Sequence, residues 1–279
     1  MLPYLLPIVL LTATALPAAL PADEPPEAEP AGEVKPLAEA SEREKAVAML
    51  TEAIQSEDNA QLRDVARKVA DLLGDDWRAS TRLKRAVDAS DDVSMREAVV
   101  VEKNRLGFKP IMEADTPPDW PTYTVVGETE LKQYPAYRVA VARSDEKREA
   151  DSRLFFTLFN HIKDRDIPMT TPVEMTGQAD ESAGETMGFL YPGSETGQTG
   201  SAGDVEVVDV PAMTVVSIGM LGRDFRDNID QTQAILDNWV KAHPEWKPAG
   251  ALRVLGYNSP MVPSFMSYSE VQIPLTRAN

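Results

Sequence analysis

The feature that most constrains the fold is an internal repeat in the second half of the chain. Pro135 and Pro211 each lie within a β-branched, alternating stretch that predicts two short strands joined at the proline. Each stretch is followed by an amphipathic helix, at about 150–163 and about 226–243, and then by two more extended runs. The order strand-strand-helix-strand-strand therefore occurs twice.

Two such halves, related by a pseudo-twofold axis, can pair their strands into one structure. We expect an α+β fold in which the repeats form a distorted antiparallel barrel or sheet with both helices on one side. The later strands are predicted at 172–176 and 187–191, closed by Pro192, and at 252–257 and 269–273, closed by Pro274. The stretches 177–186 and 193–203 are predicted to be surface loops.

The chain upstream of the repeat divides into four segments. Residues 1–22 contain an apolar run at 4–11 followed by small residues, which predicts a secretory signal peptide and export to the periplasm or the extracellular space. The run is shorter than the ~20 residues that span a bilayer, so no stable membrane span is expected. Residues 23–40 form an acidic, proline-rich linker. A helical module at 41–105 and a linker at 106–121 precede the repeat domain at 122–279.

The helical module shows local boundary signals. Ser41 begins a capping box, and a second helix is expected from Asp58 or Asn59 to Gly74. A third helix is predicted to include Trp77, and a weaker fourth segment follows Asp91. The module carries no motif for chemistry. It could pack on the next domain, self-associate or bind a protein partner.

Composition excludes several classes of function. The net charge of −17 disfavours binding to nucleic acid and to anionic membranes. The absence of cysteine excludes thiolate catalysis and thiolate metal sites, and a total of two histidines, His161 and His243, argues against a multi-histidine metal centre. No nucleophile elbow, zinc-protease motif or phosphate-binding glycine loop is present, so the chain is not expected to be an enzyme.

Residues 167–173, Ile-Pro-Met-Thr-Thr-Pro-Val, resemble the I-x-M-T-x-P-V signature of the SOUL haem-binding proteins. Stretches 134–140, 189–192, 257–260 and 269–273 are similar to other family segments and occur in the same order, so the resemblance covers about 122–275. Ser269 and Gln272 stand where the family tends to have Asn and Trp. The resemblance implies a doubly repeated α+β barrel that binds haem or another tetrapyrrole without catalysis.

A tetrapyrrole needs an apolar contact face and cations for its propionates. The candidates for the apolar face are Phe155, Phe159, Met169 and Met175. The candidates for the propionates are Arg153, Lys163 and Arg165, and the candidate iron ligand is His161, or else a methionine such as Met169. The simpler interpretation is that the apolar stripe is core, that His161 is a partly exposed structural histidine, and that the cations pair with neighbouring aspartates.

Two alternatives use the same chain differently. The architecture is also similar to GyrI-like effector-binding domains, which bind bulky apolar or cationic molecules in a cleft between the repeats. Glu174 and Glu270 would then be inward carboxylates, although strand alternation favours solvent for both side chains. The other alternative is a protein-interaction role through the helical module.

Overall fold

The computed structural model describes residues 40–89, 91–144, 150–177, 185–222 and 225–278, so the predicted signal peptide and nearly all of the acidic linker lie outside the described residues. Four helices come first: α1 (Ala40–Gln55), α2 (Asn59–Leu73), α3 (Arg78–Val87) and α4 (Asp92–Gly107). They share one core of small and branched side chains, which includes Leu50, Leu62, Val69, Leu83 and Met95.

The boundaries of α2 are those that the sequence predicts. The Asp58 carboxylate accepts the N–H groups of Ala60 and Gln61 at 2.9 and 3.1 Å, and Gly74 ends the helix with a φ of 81°. The expectations for the next two helices are partly wrong. Trp77 precedes α3 as its N-cap and lies buried in the module core. The fourth segment is a full helix of 16 residues, because buried Met95, Val99 and Leu106 pack it against the other helices.

The second half of the chain contains ten strands and two helices within the described residues. The strands are β1 (Thr129–Tyr134), β2 (Tyr137–Ser144), β3 (Val173–Thr176), β4 (Glu185–Leu190), β5 (Gly200–Ala202), β6 (Val205–Val210), β7 (Met213–Leu221), β8 (Trp246–Pro248), β9 (Arg253–Gly256) and β10 (Tyr268–Arg277). The helices are α5 (Ala150–Lys163) and α6 (Phe225–Ala242), and a 3₁₀ turn covers Ser264–Met266.

The ten strands form one open antiparallel sheet in the order β1-β7-β10-β9-β3-β4-β2-β6-β5, with β8 paired to β10. Each strand of one repeat has a counterpart in the other: β1 and β6, β2 and β7, β3 and β9, β4 and β10. Exchanging the counterparts reverses the order from β1 to β6, so the sheet has a pseudo-twofold axis between β3 and β9. The predicted twofold repeat and the α+β class are therefore confirmed. Because β1 pairs with β7 and β2 with β6, the first strand of each repeat pairs with the second strand of the other.

Two strand predictions need correction. Pro274 does not close its strand, since β10 continues to Arg277 and Pro274 lies opposite Val215. The Pro274 carbonyl accepts the Ala249 N–H at 2.8 Å between the stretches of β10 paired to β9 and to β8, so the absent proline N–H interrupts neither pairing. The predicted loop at 193–203 also contains β5, which pairs with β6.

The sheet has two differently covered faces. On one face α5 packs across β2, β4 and β6, while α6 packs across β7, β10 and β8, as the repeat predicts. Met175 on the central strand β3 contacts both helix-side cores. The other face carries tyrosines and polar side chains, and it is covered by Phe108, Trp120 and Tyr123 from the segment between α4 and β1.

A buried carboxylate joins the helical module to the sheet domain. Glu128, just before β1, accepts the N–H groups of Arg78 and Ala79 at 2.7 and 2.9 Å in the first turn of α3. It also pairs with Arg82 at 2.5 Å, and Arg82 pairs with Glu102 of α4 at 2.7 Å. The module is thus attached to the strand domain through charge-assisted hydrogen bonds.

Candidate functional site

The segment 167–173 that carries the family resemblance is held by its two threonines. The Thr170 hydroxyl donates to the Leu190 carbonyl at 2.6 Å, and the Thr171 hydroxyl donates to the Tyr257 carbonyl at 3.2 Å. The Thr171 N–H donates to the Asp115 carbonyl at 3.0 Å, and the Thr171–Pro172 peptide bond is cis. These bonds link both repeats and the inter-domain segment. They fix the segment as it leads into β3, with Met169 packed against the core beneath α5.

The predicted apolar residues come together beside α5, above the middle of the sheet. We call this surface the seam and define it by Phe155, Phe159, Met169, Val173 and Met175. Phe155 lies 5.2 Å from the Phe189 ring and stacks on Phe159 at 6.1 Å with an interplanar angle of 10°. Phe155, Met169, Val173 and Met175 all pack against the core under α5 while staying partly exposed. Of the four predicted apolar residues, Phe155, Met169 and Met175 therefore pack against the core under α5, and Phe159 stacks on Phe155.

The seam is open to solvent although it lies over the central strands. Val173 and Met175 of β3 are only half-buried, because α5 and α6 pack mainly on strands to either side. Phe159 is 38% exposed and Phe156, next to it on α5, is 61% exposed. An exposed apolar surface of this kind is a candidate for ligand binding.

The structure separates the predicted cations into two groups. Lys163 is exposed one turn beyond Phe159, and so it lies on the seam side of α5. Arg153 and Arg165 line cavities on the opposite flank of α5, towards β5 and β6. Arg153 donates to the Ser144 hydroxyl at 2.8 Å, and Arg165 donates to the His161 carbonyl at 3.0 Å.

His161 also lies on that opposite flank, and it is not partly exposed as expected. It is 5% exposed, and its Nε2 lies 2.9 Å from the Tyr191 hydroxyl. Burial, followed by the neighbouring Arg165 cation, lowers the pKa of His161 below its ordinary value, which favours the neutral ring at neutral pH. The sequence reasoning missed Tyr191 as its partner. No local signal links the two residues, because strand pairing alone brings β4 beneath α5.

Glu270 is wholly buried on the other face of the sheet, which overturns the expectation that it faces solvent. Its carboxylate accepts from Lys132 at 3.0 Å, from the Thr124 N–H at 2.8 Å and from Gln272 at 2.7 Å. Burial alone would raise the pKa of Glu270, but Lys132 and the surrounding donors hold it below its ordinary value. Further donors are Ser217, Tyr134, Tyr257 and Tyr268.

Glu174 also points to this second face, with 18% of its side chain exposed. It accepts the Tyr137 hydroxyl at 2.7 Å and lies 3.5 Å from Arg253, whose guanidinium sits 4.7 Å from the centroid of the Tyr134 ring. Trp120 covers Tyr134 and Tyr137, with ring centroids 4.6 and 5.3 Å away. Strand alternation could not predict this burial, because the covering side chain comes from outside the sheet.

Within residues 40–278, apart from the gaps given above, no group of three or more histidine and carboxylate side chains is arranged to hold a metal ion. No helix in the described part of the chain has the length and apolar character needed to span a membrane.

Comparison with known proteins identifies one family. The family model for "SOUL heme-binding protein" matches residues 119–274, which is more than half of the chain. Among curated proteins, none matches.

Several solved structures are similar in part. The EcmrR C-terminal domain is 16% identical over 54% of this chain and 98% of that one, with a TM-score of 0.42. EcmrR in a complex with DNA is 15% identical over 54% of this chain, with a TM-score of 0.45, and the match spans only 58% of the EcmrR chain. A Listeria innocua protein described as a hydrolase is 11% identical over 55% of this chain and 94% of its own, with a TM-score of 0.41.

Proposed function

The chain belongs to the SOUL heme-binding protein family, and on that premise we propose that it binds haem or a related tetrapyrrole at the seam, without catalysis. The observation that carries the proposal is the family match, together with Val173 and Met175 of the central strand β3, which remain half-exposed beside an aromatic helix flank. An apolar ligand bound at this surface would bury the apolar side chains that neither helix covers.

The residues at the seam suit the group that the family binds. Phe155 and Phe159 offer aromatic faces, and Met169 and Met175 offer adaptable thioether side chains. At about 25 cal/mol per Å², each ~100 Å² of apolar surface buried there would contribute roughly 2.5 kcal/mol before the cost of association. Lys163 is the predicted cation on the seam side for a propionate, whereas Arg153 and Arg165 lie on the other flank of α5.

The proposal does not require iron ligation by histidine. The Nε2 atom of His161 is engaged by Tyr191, and His243 stacks on Trp239 with ring centroids 3.9 Å apart. Met169 and Met175 are seam residues that carry a thioether sulfur, which is a soft donor for iron. We therefore expect tetrapyrrole capture to depend on the apolar surface more than on His161.

A cationic ligand in the cleft between the repeats is less well supported. The charge of Glu270 is matched by Lys132, and Glu174 lies beside Arg253. Trp120 covers the tyrosines that would receive such a ligand. A protein-interaction role for the helical module has no specific observation in its favour, since Glu128 and Arg82 tie the module to the sheet domain.

A haemin titration of the full chain, followed at the Soret band, tests the proposal. We expect a saturable shift, weakened by about tenfold in Phe159→Ala because one aromatic contact is lost. His161→Ala should bind as the parent does. Phe265→Ala is the matched control, since Phe265 is 74% exposed on the loop before β10. The proposal fails if no saturable shift appears. It also fails if Phe159→Ala binds haemin as tightly as the parent and the Phe265→Ala control do.

Export is proposed on sequence grounds alone. The apolar run at 4–11 and the small residues after it support a cleaved signal peptide. Expression with and without residues 1–22, followed by cell fractionation, tests it. Retention of the full-length chain in the cytoplasm, with its N-terminus intact, would contradict export.

A further inference from the structure

A cavity separate from the seam lies between the C-terminal part of α5 and the stretch that leads into β5. Its volume is about 330 Å³. The residues that line it are His161, Arg165, Tyr191, Val207 and the run 197–202. The volume is at the lower end of the roughly 300–1,000 Å³ typical of small-molecule sites, so it suits a small ligand.

The charge of this cavity is opposite to that of the chain. Aspartate and glutamate outnumber lysine and arginine by 45 to 28 in the sequence, yet no carboxylate lines the cavity. Asp164 is the acidic neighbour whose charge acts on His161, and it is outside the lining. The lining contains one fixed cation, Arg165, and the combination favours a negatively charged ligand.

Several donors in the cavity make no hydrogen bond within the described part of the chain. One guanidinium nitrogen of Arg165 donates to the His161 carbonyl at 3.0 Å, and its other N–H groups have no partner within the described part of the chain. The side chains of Gln198, Thr199 and Ser201 likewise make no hydrogen bond to any residue that the structure describes. At the floor, Tyr191 and His161 share one hydrogen bond.

The rim of the cavity is braced from outside. Arg138 donates to the carbonyls of Thr196 and Gly197 at 3.1 and 2.9 Å. Its guanidinium is in turn paired with both oxygens of Asp209, at 2.7 and 2.9 Å. This bidentate pair fixes the loop that faces Arg165, which reduces the entropy lost when a ligand is bound.

We propose that this cavity binds a small oxyanion, a carboxylate or a phosphate, through Arg165, the Tyr191 hydroxyl and the polar rim. The ligand accepts hydrogen bonds from Arg165. The Tyr191 O–H donates to it when His161 Nε2–H donates to the tyrosine oxygen. The site is on the opposite flank of α5 from the seam, so binding of the anion and of a tetrapyrrole are separate events.

The chain contains two histidines, so proton NMR of the imidazole rings gives a direct readout. Full-length protein is titrated with inorganic phosphate, with acetate, and with chloride at matched ionic strength. We expect the His161 signal to shift saturably with phosphate or acetate, while the His243 signal, from the end of α6, stays in place. Phosphate and acetate arms separate the two sources of oxyanion.

Three variants sharpen the test. Arg165→Gln should weaken binding by about tenfold or more, since a charge-assisted hydrogen bond is lost, and Tyr191→Phe should weaken it by a smaller factor. Arg143→Gln is the matched control, because Arg143 is 70% exposed and pairs with Glu206 outside this cavity. If Arg165→Gln and Arg143→Gln weaken oxyanion binding equally, or if chloride causes the same shift, the effect is general ionic screening and the proposal is overturned. The absence of any saturable shift of His161 would also overturn it.

Failure here is distinguishable from failure of the tetrapyrrole proposal. Haemin binding should be unchanged in Arg165→Gln and Tyr191→Phe, and oxyanion binding should be unchanged in Phe159→Ala.

Discussion

Replacement of Lys132 by methionine removes one charge from a buried pair while keeping the shape of the side chain. Lys132 is 3% exposed and Glu270 is 0% exposed, and the ammonium lies 3.0 Å from the carboxylate. The same ammonium donates to the Thr122 carbonyl at 2.5 Å. The variant therefore leaves the buried Glu270 carboxylate and the Thr122 carbonyl without their common donor.

The expected loss of unfolding free energy at pH 7 is about 3–5 kcal/mol, the cost of stranding one partner of a buried ion pair. The remaining donors to Glu270, such as the Thr124 N–H and Gln272, moderate the loss without replacing the charge. The double variant Lys132→Met with Glu270→Gln should recover part of this loss, because the buried carboxylate is then neutral.

Urea unfolding followed by circular dichroism measures the effect, with coincident transitions by fluorescence as the test of two-state behaviour. Lys68→Met is the matched control. Lys68 pairs with Asp64 at 3.1 Å on the surface, with both side chains 64% exposed, so its loss should stay below about 1 kcal/mol.

The pH dependence gives an independent check. In the parent the pKa of Glu270 is lowered, so the pair contributes stability above the unfolded pKa of about 4.3, and that stability is lost as pH falls through the folded pKa. Without Lys132, burial dominates and the pKa rises, so the deficit of the variant should shrink as pH falls towards 4. A loss below about 1 kcal/mol at pH 7, or a deficit independent of pH, would refute the reasoning.

Two other substitutions test specific contacts by the same unfolding assay. Glu128→Ala should cost about 2 kcal/mol because it removes the acceptor at the start of α3, and a loss equal to that of exposed Glu97→Ala would contradict the attachment inferred for the module. Gly219→Ala should cost about 1–3 kcal/mol, since its Cβ would lie 2.4 Å from the Thr124 carbonyl oxygen, which is backbone and cannot rotate away. Gly107→Ala, whose Cβ would meet only Val47 at 3.4 Å, should change stability by less than about 1 kcal/mol in either direction, and equal losses in the two variants would rule out the steric argument.

Much of the architecture follows from local patterns. Helical periodicity predicts both ends of α5, and Asp58 and Gly74 predict the ends of α2. These signals can be read from the sequence because they depend on a few neighbouring backbone groups. The paired prolines Pro135 and Pro211 predict the repeat, and the sheet order has the matching twofold symmetry. Pro274 shows the limit of such signals. A proline ends a strand only where its N–H is needed, and neighbouring strands decide that.

The candidate site likewise combines features that the sequence predicts with features that only the tertiary structure sets. The sequence by itself determined the repeated α+β fold, the segment at 167–173, and which residue types beside α5 could contact a tetrapyrrole. The tertiary structure alone decided that the flank of α5 with Arg153, Arg165 and His161 faces β5 and β6, while the flank with Phe155 and Phe159 faces the seam. It also decided that Glu270 is buried. Periodicity is set by the geometry of a single helix or strand, whereas burial and charge pairing depend on which distant segment covers each face, as Trp120 and Lys132 do here.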